Sequence, residues 1–258
     1  MSGTVLQLSG VSKSFGGLKA VQGINLSLRT GELQGLIGPN GAGKTTAFNL
    51  ITGVYLADTG SIDLCGRSIL GLRPHKIAEG GLSRTFQNIR LFGELTVLEN
   101  VLIGMHVRAD HSLVSTLAKL PGFCRQESAM RARAMELLSL FNLGRLADEQ
   151  ARNLPYGDQR RLEICRALAT EPKVLLLDEP AAGMNPSEKK SLAGSIRSIR
   201  DRFGLAVLLI EHDMGLVMEI CEKITVLDHG VPIAFGTPKE IQCDPKVCEA
   251  YLGEPSAA

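Results

Sequence analysis

The run Gly38-Pro39-Asn40-Gly41-Ala42-Gly43-Lys44-Thr45-Thr46 constrains this chain more than any other stretch, because it demands a strand, a tight turn and a helix in that order. Glycines let the backbone turn with its N–H groups pointing inward, and a helix beginning at Lys44 aims its partly positive end at the same point. Such a cradle fits the phosphates of a nucleoside triphosphate. Lys44 is then placed to reach the β- and γ-phosphates, and the Thr45 hydroxyl to hold Mg²⁺. The flanks agree: Glu32 to Ile37 reads as a buried strand and Thr46 to Ile51 as a helix.

A second motif, Val174-Leu175-Leu176-Leu177-Asp178-Glu179-Pro180, is an apolar run ending in two carboxylates. That pattern suits a central parallel strand delivering acids to the carboxyl edge of a sheet. Alone the pair is commonly a solvated strand end. In a chain with a phosphate loop, Asp178 is placed to hold Mg²⁺ and Glu179 to polarise a water, as phosphoryl transfer to water requires.

At 258 residues the chain is expected to form one large domain, or a domain carrying a subdomain, spanning 1–258. Its net charge of +1 gives no field that favours nucleic acid or anionic lipid. No run approaches the length of a membrane span, and residues 1–5 lack the basic start and apolar stretch of a secretory signal, so a cytosolic location is expected. Six cysteines are scattered without a CxxC pair, which points to reduced, buried thiols rather than to zinc or disulfides.

The fold class is α/β. Residues 4–30 alternate as half-exposed strands, with Val21, Ile24, Leu26 and Leu28 on one face, so an antiparallel sheet precedes the phosphate-loop strand. Strands expected near 82–86, 173–178, 205–210 and 222–228 are interleaved with helices, which favours a parallel sheet covered on both faces. From about 88 to 170 strand signals vanish. Leu98, Val101, Leu102 and Met105 follow helical spacing, as do Met130, Ala134, Leu137 and Leu138, and a helical subdomain inserted in the sheet domain is expected there. Around 110–125, with Pro121-Gly122, the pattern is weakest.

Three further features complete the set. Gln87 follows the strand Ser83 to Phe86, His212 follows the strand Ala206 to Ile210, and Leu154-Pro155-Tyr156-Gly157-Asp158-Gln159 opens a periodic helix shortly before the acidic strand. In this order and spacing the chain resembles the ATP-binding cassette (ABC) family along essentially its whole length. The resemblance makes 38–46 the Walker A run, Gln87 the Q-loop, 154–159 the signature segment, Asp178-Glu179 the Walker B acids and His212 the switch histidine. It makes Phe15 the aromatic that stacks on adenine. More closely, Arg84-Thr85-Phe86-Gln87, the run 156–164, Glu179-Pro180-Ala181-Ala182-Gly183 and the end 250–254 look like the longer of the two ATP-binding subunits of bacterial branched-chain amino acid importers.

That resemblance implies an ATPase motor. The implied fold is a P-loop cassette with a mixed core sheet. Two cassettes pack head to tail around two ATP molecules, each ATP held by Walker A of one subunit and by the signature segment (155–159 here) of the other. Implied site residues are Glu179 as general base, His212 on the γ-phosphate, Lys44 on the phosphates, and Thr45, Gln87 and Asp178 at Mg²⁺. Implied partners are a second, shorter cassette subunit, two integral membrane permease subunits and, indirectly, a periplasmic amino-acid-binding protein, on the cytoplasmic face of the bacterial inner membrane. The helical subdomain would receive a coupling helix from the membrane.

The signature departs from the family's common Leu-Ser-Gly-Gly-Gln: Pro155 stands at the Ser, Tyr156 at a Gly and Asp158 at the Gln, while Asn185 stands at the usual D-loop Asp. A proline supplies neither hydroxyl nor N–H, so the chain is expected to support hydrolysis in its partner's site less than a standard signature does. Two other readings stand beside the importer. A lipopolysaccharide-export ATPase is expected to keep Ser-Gly-Gly, and a soluble nucleic-acid-linked cassette needs a coiled-coil insertion or second cassette; neither feature is present. The arginines 131, 133, 160 and 161 read as solvated helix faces, and His75, His106, His111 and His229 as surface residues.

Overall fold

The computed structural model describes residues 3–108 and 121–252. The weak region around 110–125 therefore lies largely outside the described residues.

Two sheets form the frame. β1 (Thr4–Phe15) and β2 (Leu18–Arg29) pair antiparallel, and β4 (Thr59–Leu64) and β5 (Arg67–Ser68) extend them in the order β2-β1-β4-β5. Val21, Ile24, Leu26 and Leu28 are all buried, as their pattern predicts. The odd spacing from Val21 to Ile24 has a cause: the register shifts between Val11↔Ile24 and Lys13↔Val21, a bulge that restores the same face after the slip.

The second sheet has the order β10-β9-β3-β8-β7-β6, built from β3 (Leu33–Ile37), β6 (Leu82–Arg84), β7 (Val174–Asp178), β8 (Ala206–Ile210), β9 (Lys223–Asp228) and β10 (Val231–Gly236). It is mixed. β9, β3, β8, β7 and β6 run parallel, and β10 turns back antiparallel to β9. The apolar runs of β7 and β8 are unbroken because both faces are covered. Leu175, Leu177, Val207 and Leu209 enter one core with the helices, and Val174, Leu176, Leu208 and Ile210 enter another shared with the antiparallel sheet.

Among the described residues the α-helices are α1 (Lys44–Ile51), α2 (Pro74–Glu79), α3 (Val97–Met105), α4 (Pro121–Leu140), α5 (Tyr156–Leu168), α6 (Pro186–Phe203), α7 (Met214–Ile220), α8 (Pro238–Gln242) and α9 (Pro245–Leu252). α3, α4 and α5 lie between β6 and β7 in the chain. They bury Leu98, Val101, Met105, Ala134, Leu137 and Leu138 in the helix-side core. Pro121-Gly122, in the region where the pattern is weakest, lies at the start of α4 as described.

The cysteines depart from expectation. Cys165 and Cys221 are buried and Cys65 is half-buried, but Cys243 and Cys248 are exposed at the ends of α8 and within α9. Among the described residues no helix is long and apolar enough to cross a membrane.

Candidate functional site

Because β3, β8, β7 and β6 are parallel neighbours, whatever follows each strand emerges at one edge of the sheet. The residues that follow them are the phosphate loop, His212, Glu179 and Gln87.

The loop needs glycine at two places for reasons the geometry makes plain. At Gly38 (φ 153°) a Cβ would lie 2.1 Å from the Leu227 carbonyl oxygen, and at Gly43 (φ 97°) 2.5 Å from the Ala20 carbonyl oxygen. Both backbones pass too close to neighbouring chain for any side chain. Among the described residues, the N–H groups of Gly41, Gly43, Lys44 and Thr45 find no acceptor, while the Ala42 N–H donates to Pro39. Lys44 is buried, and its Nζ donates to the carbonyls of Gly38 at 2.7 Å and Pro39 at 2.8 Å. Burial lowers its pKa, and the nearby carboxylates of Glu179 and Asp178 oppose that shift. Thr45 stays exposed at the head of α1.

Asp178 is buried at the end of β7, and its Oδ2 accepts from Arg84 Nη2 at 2.7 Å. The other guanidinium nitrogen, Nη1, donates to Asn49 Oδ1 on α1 at 2.7 Å, and the group lies 5.5 Å and 5.2 Å from the ring centroids of Phe48 and Phe86. Glu179 sits in the left-handed region (φ 47°), a strained conformation for a side-chain-bearing residue, held by its N–H donating to Ile210 on β8 at 2.9 Å. Its Oε2 accepts from Gln87 Nε2 at 3.0 Å, and His212 Nδ1 stands 3.8 Å from the same oxygen. Gln87, Glu179 and His212 thus converge on one atom.

Glu211, directly after β8, belongs to none of the sequence motifs. Its buried Oε1 accepts from the Ala181 N–H at 2.8 Å and its Oε2 from those of His212 at 3.2 Å and Asp213 at 3.4 Å, tying the turn after β7 to the turn after β8. Burial raises its pKa, and the backbone donors oppose the shift. A carboxylate between an apolar strand and His212 was the available signal. Arg160 corrects an expectation outright: read as solvated, it is 1% exposed and buried against the Gln87 segment.

Thr45, Gln87 and Asp178 offer hydroxyl, amide and carboxylate oxygens, hard donors of the kind Mg²⁺ takes together with phosphate and water, and Asp178 keeps Oδ1 clear of the Arg84 contact. Among the described residues there is no group of three or more His, Cys, Asp and Glu suited to a metal cage. The donor set therefore fits a phosphate-borne Mg²⁺.

The structure joins neither the signature segment nor Phe15 to this cluster. Pro155 caps α5, the Gln159 amide donates to the Leu154 carbonyl at 2.9 Å, and Asp158 pairs with Arg161 at 3.0 Å, so both polar side chains are spent within their own turn. Gly157 is buried against Glu188, and Tyr156 packs beside Gly183. No hydrogen bond among the described residues links 155–159 to the loop 38–46. Phe15 ends β1 with its ring edge-on to Tyr55 at 5.1 Å and is 42% exposed.

A parallel sheet that brings a phosphate loop, two acids, a glutamine and a histidine to one edge, beside an antiparallel sheet, is a nucleotide-binding cassette of the P-loop class. The chain belongs to the ABC transporter family, whose family model matches residues 21–182. The model for the branched-chain amino acid ATP-binding cassette transporter matches residues 231–257. The chain is 48% identical to the high-affinity branched-chain amino acid transport ATP-binding protein BraF of Pseudomonas aeruginosa, over 98% of this chain and 100% of that protein. Its identity to the corresponding protein LivG of Escherichia coli is also 48%, over the same shares. The lipopolysaccharide export ATP-binding protein LptB of Haemophilus influenzae is 35% identical over 97% of this chain and 98% of that one. Among solved structures, an ATP-binding cassette of an ABC transporter in its ADP conformation has a TM-score of 0.85 and 33% identity, covering 98% of this chain and 100% of that one.

Proposed function

We propose that this chain is the ATP-hydrolysing motor subunit of a membrane importer for the branched-chain amino acids leucine, isoleucine and valine. The observation that carries the hydrolytic reading is the convergence of Gln87 and His212 on the Glu179 carboxylate, beside the phosphate loop and Asp178. What carries the choice of cargo is near-full-length identity to branched-chain amino acid transport ATP-binding proteins, higher than that to the export protein.

In this reading the loop Gly38 to Thr46 binds the triphosphate through its inward N–H groups, with Pro39, Asn40 and Ala42 setting its shape. Lys44 exchanges its two carbonyl contacts for phosphate oxygens, and Phe15 stacks on adenine. Glu179 takes a proton from the attacking water, and Gln87 and His212 orient that water from either side. Thr45, Asp178 and Gln87 would hold a Mg²⁺, which when bound would supply charge neutralisation at the phosphates. The segment 155–159, free of its own loop, contacts the ATP of a second cassette, which we take to be a shorter paralogue. Residues 88–170 form the helical subdomain. A groove of about 730 Å³ between it and the sheet domain, with Val54, Phe92 and Val107 exposed on its walls, receives a helix from one of two membrane subunits, which place the chain on the cytoplasmic membrane face and link it to a periplasmic binding protein.

The test is uptake of radiolabelled leucine, with isoleucine, valine, alanine and a sugar as competitors. Cells lacking this chain and cells carrying Glu179→Gln are expected to lose uptake, and the wild-type chain to restore it. Normal leucine uptake in both would overturn the cargo assignment. ATP hydrolysis by the Glu179→Gln chain at the wild-type rate would overturn the hydrolytic one.

A further inference from the structure

Arg160 and Glu163 form an ion pair at 3.2 Å on α5 in which both residues are almost fully buried, 1% and 2% exposed. Pairs this deep are costly to desolvate, so what their other donors and acceptors hold matters. Arg160 Nε is buried without a partner, while both Nη atoms and Glu163 Oε1 are turned on one segment. Arg160 Nη1 donates to the Phe86 carbonyl at 2.6 Å, and Nη2 donates to the Gln87 carbonyl. Glu163 Oε1 accepts from the N–H groups of Phe86 and Arg90, each at 3.3 Å. The pair therefore grips the backbone on both sides of Gln87. Gln87 itself is exposed, and its amide reaches Glu179. An exposed side chain on a loop holds one direction only if its backbone is held.

The same guanidinium faces the signature segment. Nη2 also donates to the Tyr156 hydroxyl at 3.2 Å, with the ring centroid 5.6 Å away, and the ring lies beside Gly183, four residues past Glu179. Tyr156 stands where the family commonly has glycine, which could make neither contact. We propose that Arg160, oriented by Glu163 and Tyr156, is the positioning residue that sets Gln87 on Glu179, so that the signature segment and the hydrolytic carboxylate of one chain move as a unit. This rests on the roles given above to Gln87 and Glu179. It gives the unusual signature a use: contact between 155–159 and a partner's nucleotide shifts Tyr156 and Arg160, and with them this chain's own Gln87.

The experiment uses the full chain in the complex with which it copurifies, assayed for kcat and KM for ATP alongside thermal unfolding. Arg160→Met alone would leave Glu163 buried and unpaired, so the working variant is Arg160→Met with Glu163→Gln, which keeps an acceptor for the two N–H groups. It is expected to lower kcat about 10- to 100-fold, the scale of a misplaced reacting group, with KM within about twofold. Arg160→Lys recovers part of that loss. Adding Gln87→Ala to the double variant lowers kcat no further than Gln87→Ala alone, because both act through one amide. An unchanged kcat, or losses that multiply with Gln87→Ala, would overturn the inference. Wild-type hydrolysis by Glu179→Gln would instead overturn the roles on which it stands.

Discussion

One guanidinium, that of Arg84, ties β6, α1 and the end of β7 together, through Asn49 and Asp178, at a place where both members of the ion pair are under a tenth exposed. Removing it strands a buried carboxylate. Arg84→Met is expected to cost about 3–5 kcal/mol in denaturant unfolding, and adding Asp178→Asn to restore much of that because no lone charge remains. Gly38→Ala should also lower the melting temperature sharply, since the new methyl group would meet a backbone oxygen that cannot move without opening β9. The signature substitutions make a third case. Pro155→Ser with Asp158→Gln is expected to raise the ATPase rate of the assembled complex by adding a hydroxyl toward the partner's phosphate; an unchanged rate would mean that the native segment supports hydrolysis fully. Arg84 was visible in the sequence only as part of a family motif. Its charge gave no sign that it is buried, because burial of a polar residue depends on partners far away in the chain.

Helix starts were more legible, with one useful surprise. Asn185, which stands at the usual D-loop aspartate, is the N-cap of α6, and its side chain and that of Glu188 satisfy each other's backbone N–H groups. Asn and Asp cap about equally well, so the departure costs the helix nothing. Asn185→Ala is expected to lose about 1 kcal/mol in thermal unfolding, and Asn185→Asp far less. The thiols divide by element. Cys243 and Cys248 should label rapidly in the native state, whereas Cys165 and Cys221 should label only on unfolding, as mass spectrometry of alkylated peptides would record. Burial pushes the Cys221 thiol from 9.0 up to about 12. The native state then keeps a proton that the unfolded chain releases, so this contribution is whole below pH 9 and is lost as pH rises to about 12. Cys221→Ala should flatten the fall in stability over that window. Strand runs were readable because both faces of the core sheet are apolar, and β1 and β2 because alternation survives a bulge. β4, β5 and α2 are short and carry too little periodic signal to be legible in the sequence.

For the whole molecule, the sharpest expectation concerns the groove between α3, α5 and the sheet domain. Val107, 43% exposed on its wall, meets a membrane subunit in the proposed reading and lines no part of the cluster around Glu179. Val107→Asp is expected to abolish copurification of the membrane subunits while basal hydrolysis by the chain and its melting temperature stay as they were. Retained copurification would move the docking surface elsewhere. In the proposed reading a second chain completes the site: 38–46, 87, 178, 179 and 212 gather at one sheet edge, whereas among the described residues the side chains of 156, 158 and 159 hydrogen-bond to Leu154, Arg160 and Arg161.

The sequence by itself determined the phosphate loop, the acidic strand end, the Gln and His after their strands, and hence the family, because each is a local pattern whose chemistry is carried by residue type and spacing. Tertiary structure decided the rest. Strand order brought four separate strand ends to one edge, and long-range burial made Arg84, Arg160, Glu163 and Glu211 the supports of Asp178, Gln87 and the turns beside Glu179. No window of sequence contains that information, since a charged residue is buried only when its partners, up to 94 positions away in the case of Arg84 and Asp178, arrive to receive it.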